Sequence, residues 1–261
     1  MEVHHSHHLA HKKKLKEYFL EFFMLFLAVS LGFLAENIRE SYVEKERAHE
    51  LALALYADIK NDEEKMRAFI DNRSGILNDV KALIQDIDQN GLKPSDQEQY
   101  RLFAETAFYW TYFEPKTANL DQIINSGSLR YFKKRGVIES ISKYKSTITN
   151  LLARQEREKV FFYSNLQPFI INNINLQPMD TTHITGSVTI RDYFNGLKTN
   201  NIQLSNGKKL YIEENRDSIQ KVMNMYRFYS VVLTTSYRTY YSKYLGECQN
   251  LIKTLELEIN H

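Results

Sequence analysis

The sequence contains few of the residues that break helices or cross-link a chain. Its 261 residues include 4 Pro, 9 Gly and 1 Cys. So little proline and glycine argues against an all-β fold, because the many turns of such a fold use both residues. The single cysteine, Cys248, excludes an internal disulfide bond and a cysteine-based zinc cluster.

The chain also lacks an excess of one charge and the common catalytic motifs. Lys and Arg total 34 and Asp and Glu total 32, so no broad basic field exists for nucleic acid. The motifs HExxH, GxSxG, GxxxxGKS/T and GxGxxG are missing. Apolar residues make up 43% of the chain, which is enough for a packed core. We predict a folded protein that is not an enzyme and does not bind nucleic acid.

A long apolar run near the N-terminus predicts a transmembrane helix. Residues 18–35 include a single charged residue, Glu21. A helix of this length spans about 27 Å, close to the hydrocarbon core of a bilayer. The alternatives are a cleaved signal peptide, for which Ala28-Val29-Ser30 resembles a cleavage site, and a buried core helix. The apolar surface on every side of the helix disfavours the buried helix.

The charges on either side of this run predict its orientation. Four lysines precede it, whereas a mixed and slightly acidic set follows it. The positive-inside rule therefore places the N-terminus in the cytoplasm. We predict a bacterial inner-membrane protein with a cytoplasmic His/Lys-rich stub over 1–16, a transmembrane helix over 17–36 and a periplasmic α-helical domain over 37–261.

One face of the predicted span carries mostly small residues. Five positions at 4-3-4-3 spacing share this face: Glu21, Leu25, Ala28, Gly32 and Ala35. Ala28 and Gly32 form a small-xxx-small pair, which allows two membrane helices to approach closely. The hypothesis is self-association through this face, with Glu21 paired to a lysine such as Lys14 or to another subunit. The alternative is that Glu21 only extends to the cytoplasmic membrane surface.

The stub before the span is rich in histidine. Five imidazoles lie within eight positions: His4, His5, His7, His8 and His11. Imidazoles this close can bind a divalent transition metal. No carboxylate or cysteine completes a defined site, so we favour a polar cap that contacts anionic lipid headgroups. The predicted cofactor is accordingly none, with a transition metal at these histidines as the alternative.

Helical spacing of apolar residues continues directly out of the span. It predicts that the anchor runs unbroken into the first domain helix, which ends at Ser74-Gly75. A second helix is expected over 76–89, stopping at Asn90-Gly91. A third helix is expected to begin at Ser95, whose side chain forms a capping box with Glu98. The carboxylates beyond the span mostly alternate with Lys and Arg, as on a solvated surface.

The second half predicts two long helices that pack along the first. They cover 137–163 and about 213–258, and Cys248 lies on the apolar stripe of the second as a core thiol. That stripe is rich in tyrosine and includes Tyr226, Tyr229, Tyr237, Tyr240 and Tyr244. Residues 164–212 are less regular, and we favour a loop there over a hairpin at 202–212.

Three shorter features lie between these helices. A short helix is expected to start at an N-cap, Thr117, and to stop at Ser126-Gly127-Ser128. The aromatic run over 103–113 is interpreted as core rather than as a ligand-binding ladder. The basic corner over 133–135 is interpreted as a solvated turn near helix C-termini, and binding of an acidic partner is the alternative.

Two stretches carry a resemblance to a known family. The first runs from the histidines through EFFMLFLAVSLGFLAENIRE, YVEKERAHE and ADIKND, and the second is NLDQIINSGSLRYFKKRGVIESISKY. They resemble an uncharacterised family of bacterial single-pass inner-membrane proteins, defined only as a domain of unknown function. The resemblance implies the membrane topology and no catalytic residues.

Together these features predict an all-α protein in which one transmembrane helix continues into an elongated extracytoplasmic helical bundle. The expected function is that of a membrane-anchored structural or interaction protein, a homo-oligomeric component of a cell-envelope assembly. Its expected partners are membrane lipid, further copies of itself and other envelope proteins. The alternative is a periplasmic ligand-sensing bundle. Sixteen cytoplasmic residues cannot form an output domain, so such a sensor would signal through a partner protein.

Overall fold

The computed structural model describes residues 15–93, 96–108, 110–132, 134–174 and 216–260. This part of the chain is built from helices, which confirms the predicted all-α class. The α-helices are α1 (Leu15–Asn90), α2 (Gln97–Phe108), α3 (Ala118–Asn125), α4 (Arg135–Phe161), α5 (Gln167–Asn173), α6 (Arg216–Thr235) and α7 (Ser242–Ile259). A 3-10 turn (Ser128–Tyr131) precedes α4, and π-helical turns join α4 to α5 (Phe162–Leu166) and α6 to α7 (Ser236–Tyr241).

Helix α1 is 76 residues long and runs through Ser74-Gly75, where the sequence had predicted its end. That prediction was wrong because the buried face continues past the glycine. Ile76, Val80 and Leu83 follow Ile70 at helical spacing and pack into the core, and their burial outweighs the ~1 kcal/mol cost of one glycine in a helix. The helix ends instead at Gly91, which has a φ of +75° and donates its N–H to the Ile87 carbonyl at 2.9 Å.

The start of α2 also differs from the prediction. The carboxylate of Asp96 accepts hydrogen bonds from the backbone N–H groups of Glu98 and Gln99, each at 2.9 Å. Asp96 therefore caps the helix, and the prediction of Ser95 as the N-cap was wrong by one residue. A carboxylate at this position also interacts favourably with the helix dipole.

The connections around α3 agree with the prediction. Thr117 is the N-cap residue of α3, and Gly127 follows the helix in the left-handed region with a φ of +72°. The long helix predicted from residue 137 begins at Arg135 and continues through the π-helical turn into α5, so the expected irregular region starts later than predicted. The hairpin considered for 202–212 lies outside the described residues.

Two hydrophobic clusters form the core, and α1 passes through both. The proximal cluster packs α1 between Ala52 and Ile70 against α3, α4 and α7. The distal cluster packs α1 between Ile76 and Ile87 against α2, α5 and α6. As predicted, the last long helix lies along both α1 and α4, because Leu251 and Leu255 meet their apolar faces.

The π-helical turn between α6 and α7 changes which tyrosines are buried. Tyr226, Tyr229 and Tyr244 are fully buried, as predicted. Tyr237 is 45% exposed, and Tyr241 takes the buried position with 1% exposure. A π-helical turn adds one residue to the helical repeat, so the positions within it are rotated relative to an uninterrupted helix.

The aromatic run before α3 is only partly core. Phe103 and Phe113 are buried, in agreement with the prediction, but Tyr112 is 57% exposed. Trp110 is partly buried and packs against the distal cluster. The side chains of residues 108 and 109 lie outside the described part of the chain.

Candidate functional site

The first part of α1 leaves the bundle and is not covered by it. Within α1, Ala48 is the first buried residue. The preceding segment contains a stretch of 18 residues that is long and apolar enough to cross a bilayer, and none of it is buried in the described protein. Phe19 and Phe33, for example, are 70% and 69% exposed. The part of the chain that the structure describes therefore leaves this most apolar helix segment unburied.

All five residues of the predicted contact face lie in this segment. Glu21, Leu25, Ala28, Gly32 and Ala35 are on one uninterrupted helix, and all are exposed. A methyl group at Gly32 would meet nothing within 4 Å, so the packing of this chain does not require glycine there. Lys14, one of the proposed partners of Glu21, lies outside the described residues. Self-association through this face stays a prediction.

No metal site appears in the residues that the structure describes. They contain no group of three or more His, Cys, Asp or Glu side chains placed to hold an ion. The five histidines of the stub, from His4 to His11, lie outside the described residues, so their interpretation is unchanged.

The basic corner is described at two of its three positions. Lys134 donates to the Leu257 carbonyl near the C-terminus of α7 at 3.1 Å.

A buried carboxylate, Asp62, lies in the proximal cluster. Its Oδ2 atom accepts hydrogen bonds from the Lys116 backbone N–H at 2.8 Å and from the Tyr244 hydroxyl at 3.2 Å. The Tyr144 and Tyr244 hydroxyl oxygens are 2.8 Å apart. Burial raises the pKa of Asp62, and these hydrogen bonds oppose the rise. Through its hydrogen bonds to Tyr244 and to the Lys116 backbone, Asp62 joins α1 to α7 and to the segment before α3.

A second polar cluster lies between the two hydrophobic clusters. Arg73 of α1 forms a buried ion pair with Glu158 of α4, and both side chains are at most 3% exposed. The Glu158 carboxylate also accepts hydrogen bonds from the hydroxyls of Ser236 and of Tyr241, the latter at 3.2 Å. Burial by itself lowers the pKa of Arg73, but Tyr229, Tyr241 and Glu158 outweigh it and raise that pKa.

Sequence reasoning placed most carboxylates on solvated faces and missed Asp62 and Glu158. The signal was present in the spacing, because Asp62 lies between Ile59 and Met66 on the apolar face of α1. Arg73 continues the same face. Their partners are 54 to 182 residues away, so no local pattern reveals them. Both clusters join helices, which is a structural role.

Cys248 is fully buried in the proximal cluster, as predicted. Burial raises the pKa of its thiol to about 12. A cysteine reacts as its thiolate, which is scarce at neutral pH when the pKa is this high. The thiol is therefore an inert core group and not a candidate nucleophile.

Comparison with protein-family models, curated proteins and solved structures finds no match for this chain. The resemblance to a bacterial inner-membrane family therefore stays a prediction. The uncovered apolar segment of α1 is the feature of this chain that bears most directly on its function.

Proposed function

We propose that this protein is a single-pass, inner-membrane-anchored structural or interaction protein that holds its helical bundle outside the cytoplasm. The observation that carries the proposal is the continuity of α1. One helix contains both the uncovered apolar stretch and the buried face that organises both core clusters.

The apolar stretch needs a nonpolar environment that the bundle does not provide. Soluble monomers rarely expose apolar patches larger than a few hundred Å². Each large apolar side chain transferred from water contributes about 1.5–3 kcal/mol. Nine Phe and Leu side chains between Phe19 and Leu34 are more than 45% exposed. Insertion of this segment in a bilayer removes that cost, and the lysines before it favour a cytoplasmic N-terminus.

The segment between the apolar stretch and the bundle supports a rigid spacer. From Ala35 to Ala48 the helix rises about 20 Å, and its surface there is mainly polar. Arg39 donates two hydrogen bonds to the Glu36 carboxylate, at 3.0 and 2.5 Å, one turn beyond the stretch. We infer that the near end of the bundle lies close to the headgroup layer and that the rest extends away from the membrane, where it is accessible to other envelope proteins.

Membrane fractionation of the full chain tests the anchor. We expect the protein to stay with the membrane pellet after an alkaline wash, because a spanning helix is not removed by disrupting charge interactions. Its intact mass should include the apolar segment, and protease added to spheroplasts should digest the C-terminal bundle. A shortened soluble protein would instead indicate a cleaved signal sequence, and protection of the bundle would contradict the orientation.

Self-association through the small-residue face makes a separate prediction. Gly32→Leu is expected to reduce the oligomer to a smaller species in mild detergent, because the larger side chain prevents close helix approach. The matched control is Ser30→Leu, which adds a similar side chain on the opposite face. The mass of each complex is measured by light scattering corrected for detergent. If Gly32→Leu and Glu21→Gln both leave the oligomer unchanged, this face does not mediate assembly.

The continuity of α1 also favours the second candidate, a ligand-sensing bundle. A displacement of Asp62 or Arg73 would be transmitted along one helix into the membrane. The aromatic residues of the core, however, pack against each other. Ring centroids are 5.2 Å apart for Phe103–Tyr226 and for Phe113–Tyr244. We therefore favour the structural or interaction role over sensing.

A further inference from the structure

A groove of about 590 Å³ lies where α1 leaves the bundle. Ile38, Tyr42 and Lys45 of α1 form one wall, and Tyr131, Lys134 and Glu258 form the other. Ile38 and Tyr42 are each 69% exposed, although they lie beyond the apolar stretch. The volume falls within the range of small-molecule binding sites.

The position of the groove relative to the bilayer indicates what fills it. This step rests on the proposed membrane anchor. If the hydrocarbon core ends near Ala35, Ile38 and Tyr42 lie about 5 and 10 Å beyond it. The headgroup layer extends roughly 5–8 Å from the hydrocarbon edge. The end of the groove at Ile38 therefore opens into the headgroup layer, and the groove continues past the outer edge of that layer at Tyr42.

The apolar wall of the groove is continuous with the surface of the span. Leu31, Leu34, Ile38 and Tyr42 follow one another at 3-4-4 spacing, so they share one face of α1. Leu31 and Leu34 are 60% and 54% exposed. A lipid whose acyl chains pack on these leucines has its headgroup at the mouth of the groove.

The charges of the groove favour an anionic group. Lys45 and Lys134 both line it, and Glu258 is the acidic residue of its lining, with its carboxylate 3.2 Å from the Lys134 ammonium. Arg47 and Arg130 each donate to the hydroxyl of Tyr131, a lining residue, at 3.3 Å, and Arg130 also interacts with Glu44 and Glu40. Side chains on a helix point back toward its N-terminus, so the Lys45 side chain extends toward the bilayer.

We propose that this groove binds the phosphate-bearing headgroup of an anionic phospholipid. Lys45, whose side chain extends back toward the bilayer, and Lys134 contact the phosphate, Ile38 covers the glycerol region, and Tyr42 packs beside the outer part of the headgroup. The protein thus recognises a lipid at the point where its anchor helix enters the bundle.

Native mass spectrometry of the full chain in mild detergent tests this site. The protein is mixed with equal amounts of phosphatidylglycerol or phosphatidylcholine, and the retained lipid is counted. Wild type is expected to retain more phosphatidylglycerol. Lys45→Gln with Lys134→Gln should reduce that retention by about fivefold per lysine, and Tyr42→Ser should reduce retention of both lipids.

The matched control is Lys143→Gln with Lys253→Gln, which removes the same charge at exposed positions outside the groove. Equal lipid retention by the groove and control variants would overturn the proposal. So would a smaller oligomer with unchanged lipid retention, which would assign the groove to a second copy of the chain. If the double variant does not fold, Lys45→Gln alone provides the same comparison at an exposed position. The alkaline wash distinguishes failure of the lipid-site proposal from failure of the membrane-anchor proposal. If only the lipid site is wrong, the protein stays in the membrane after the wash, and if the anchor is wrong, it does not.

Discussion

Replacement of Glu158 by alanine is expected to lower the free energy of unfolding by about 3–5 kcal/mol. The substitution leaves the guanidinium of Arg73 buried without its carboxylate, and it removes the acceptor used by Ser236 and Tyr241. An unpaired charge in the core costs far more than the pair contributes, because it has lost its hydration. Chemical unfolding of the detergent-solubilised chain, followed by far-ultraviolet circular dichroism, measures the change.

Two further variants separate this effect from the loss of any carboxylate. Glu156→Ala removes an exposed side chain that lies 3.5 Å from Lys159, and it should change stability by no more than about 0.5 kcal/mol. Arg73→Met combined with Glu158→Leu should recover part of the loss, because neither buried charge remains. If Glu158→Ala costs no more than Glu156→Ala, the buried ion pair does not hold α1 against α4.

Replacement of Gly75 by proline is expected to lower the free energy of unfolding by about 3 kcal/mol or more. Gly75 lies in the interior of α1, between the parts of that helix that form the proximal and distal clusters. Proline there removes a helical hydrogen bond and clashes with the carbonyl of Asp71. The same unfolding measurement applies.

The matched variant Gly75→Ala should instead stabilise the protein by about 0.5–1 kcal/mol. A methyl group at this position meets nothing within 4 Å, and alanine favours the helix. If α1 ended at Gly75 in the left-handed conformation, alanine would destabilise the protein. The sign of the change therefore distinguishes one continuous helix from the two helices that the sequence had predicted.

The spacing of apolar residues predicted the helices but not every boundary. A glycine in a helical pattern is a local cost, whereas the benefit of continuing α1 comes from α2 and α6, far away in the chain. The exchange of Tyr237 for Tyr241 on the buried face has a similar origin. It depends on a π-helical turn, which adds one residue to the helical repeat. The amino-acid composition of the segment gives no sign of this turn.

The part of the candidate site that lies in one continuous segment could be predicted from the sequence. The part that is formed by segments far apart in the chain could not. The apolar stretch with its small-residue face, from Glu21 to Ala35, is a property of one continuous segment. The groove combines α1 with the turn at Tyr131 and the end of α7 at Glu258, which are about 80 to 220 positions away in the chain. Only the fold brings these segments together.

The unbroken path of α1 fixes the direction in which the bundle faces. Successive residues of an α-helix are about 100° apart around its axis. The angle between the Gly32 face and the Tyr42 face is therefore set by the number of residues between them. Inserting one residue in the polar stretch would turn the whole bundle by roughly a quarter-turn relative to the apolar stretch of α1, while its interior stayed the same.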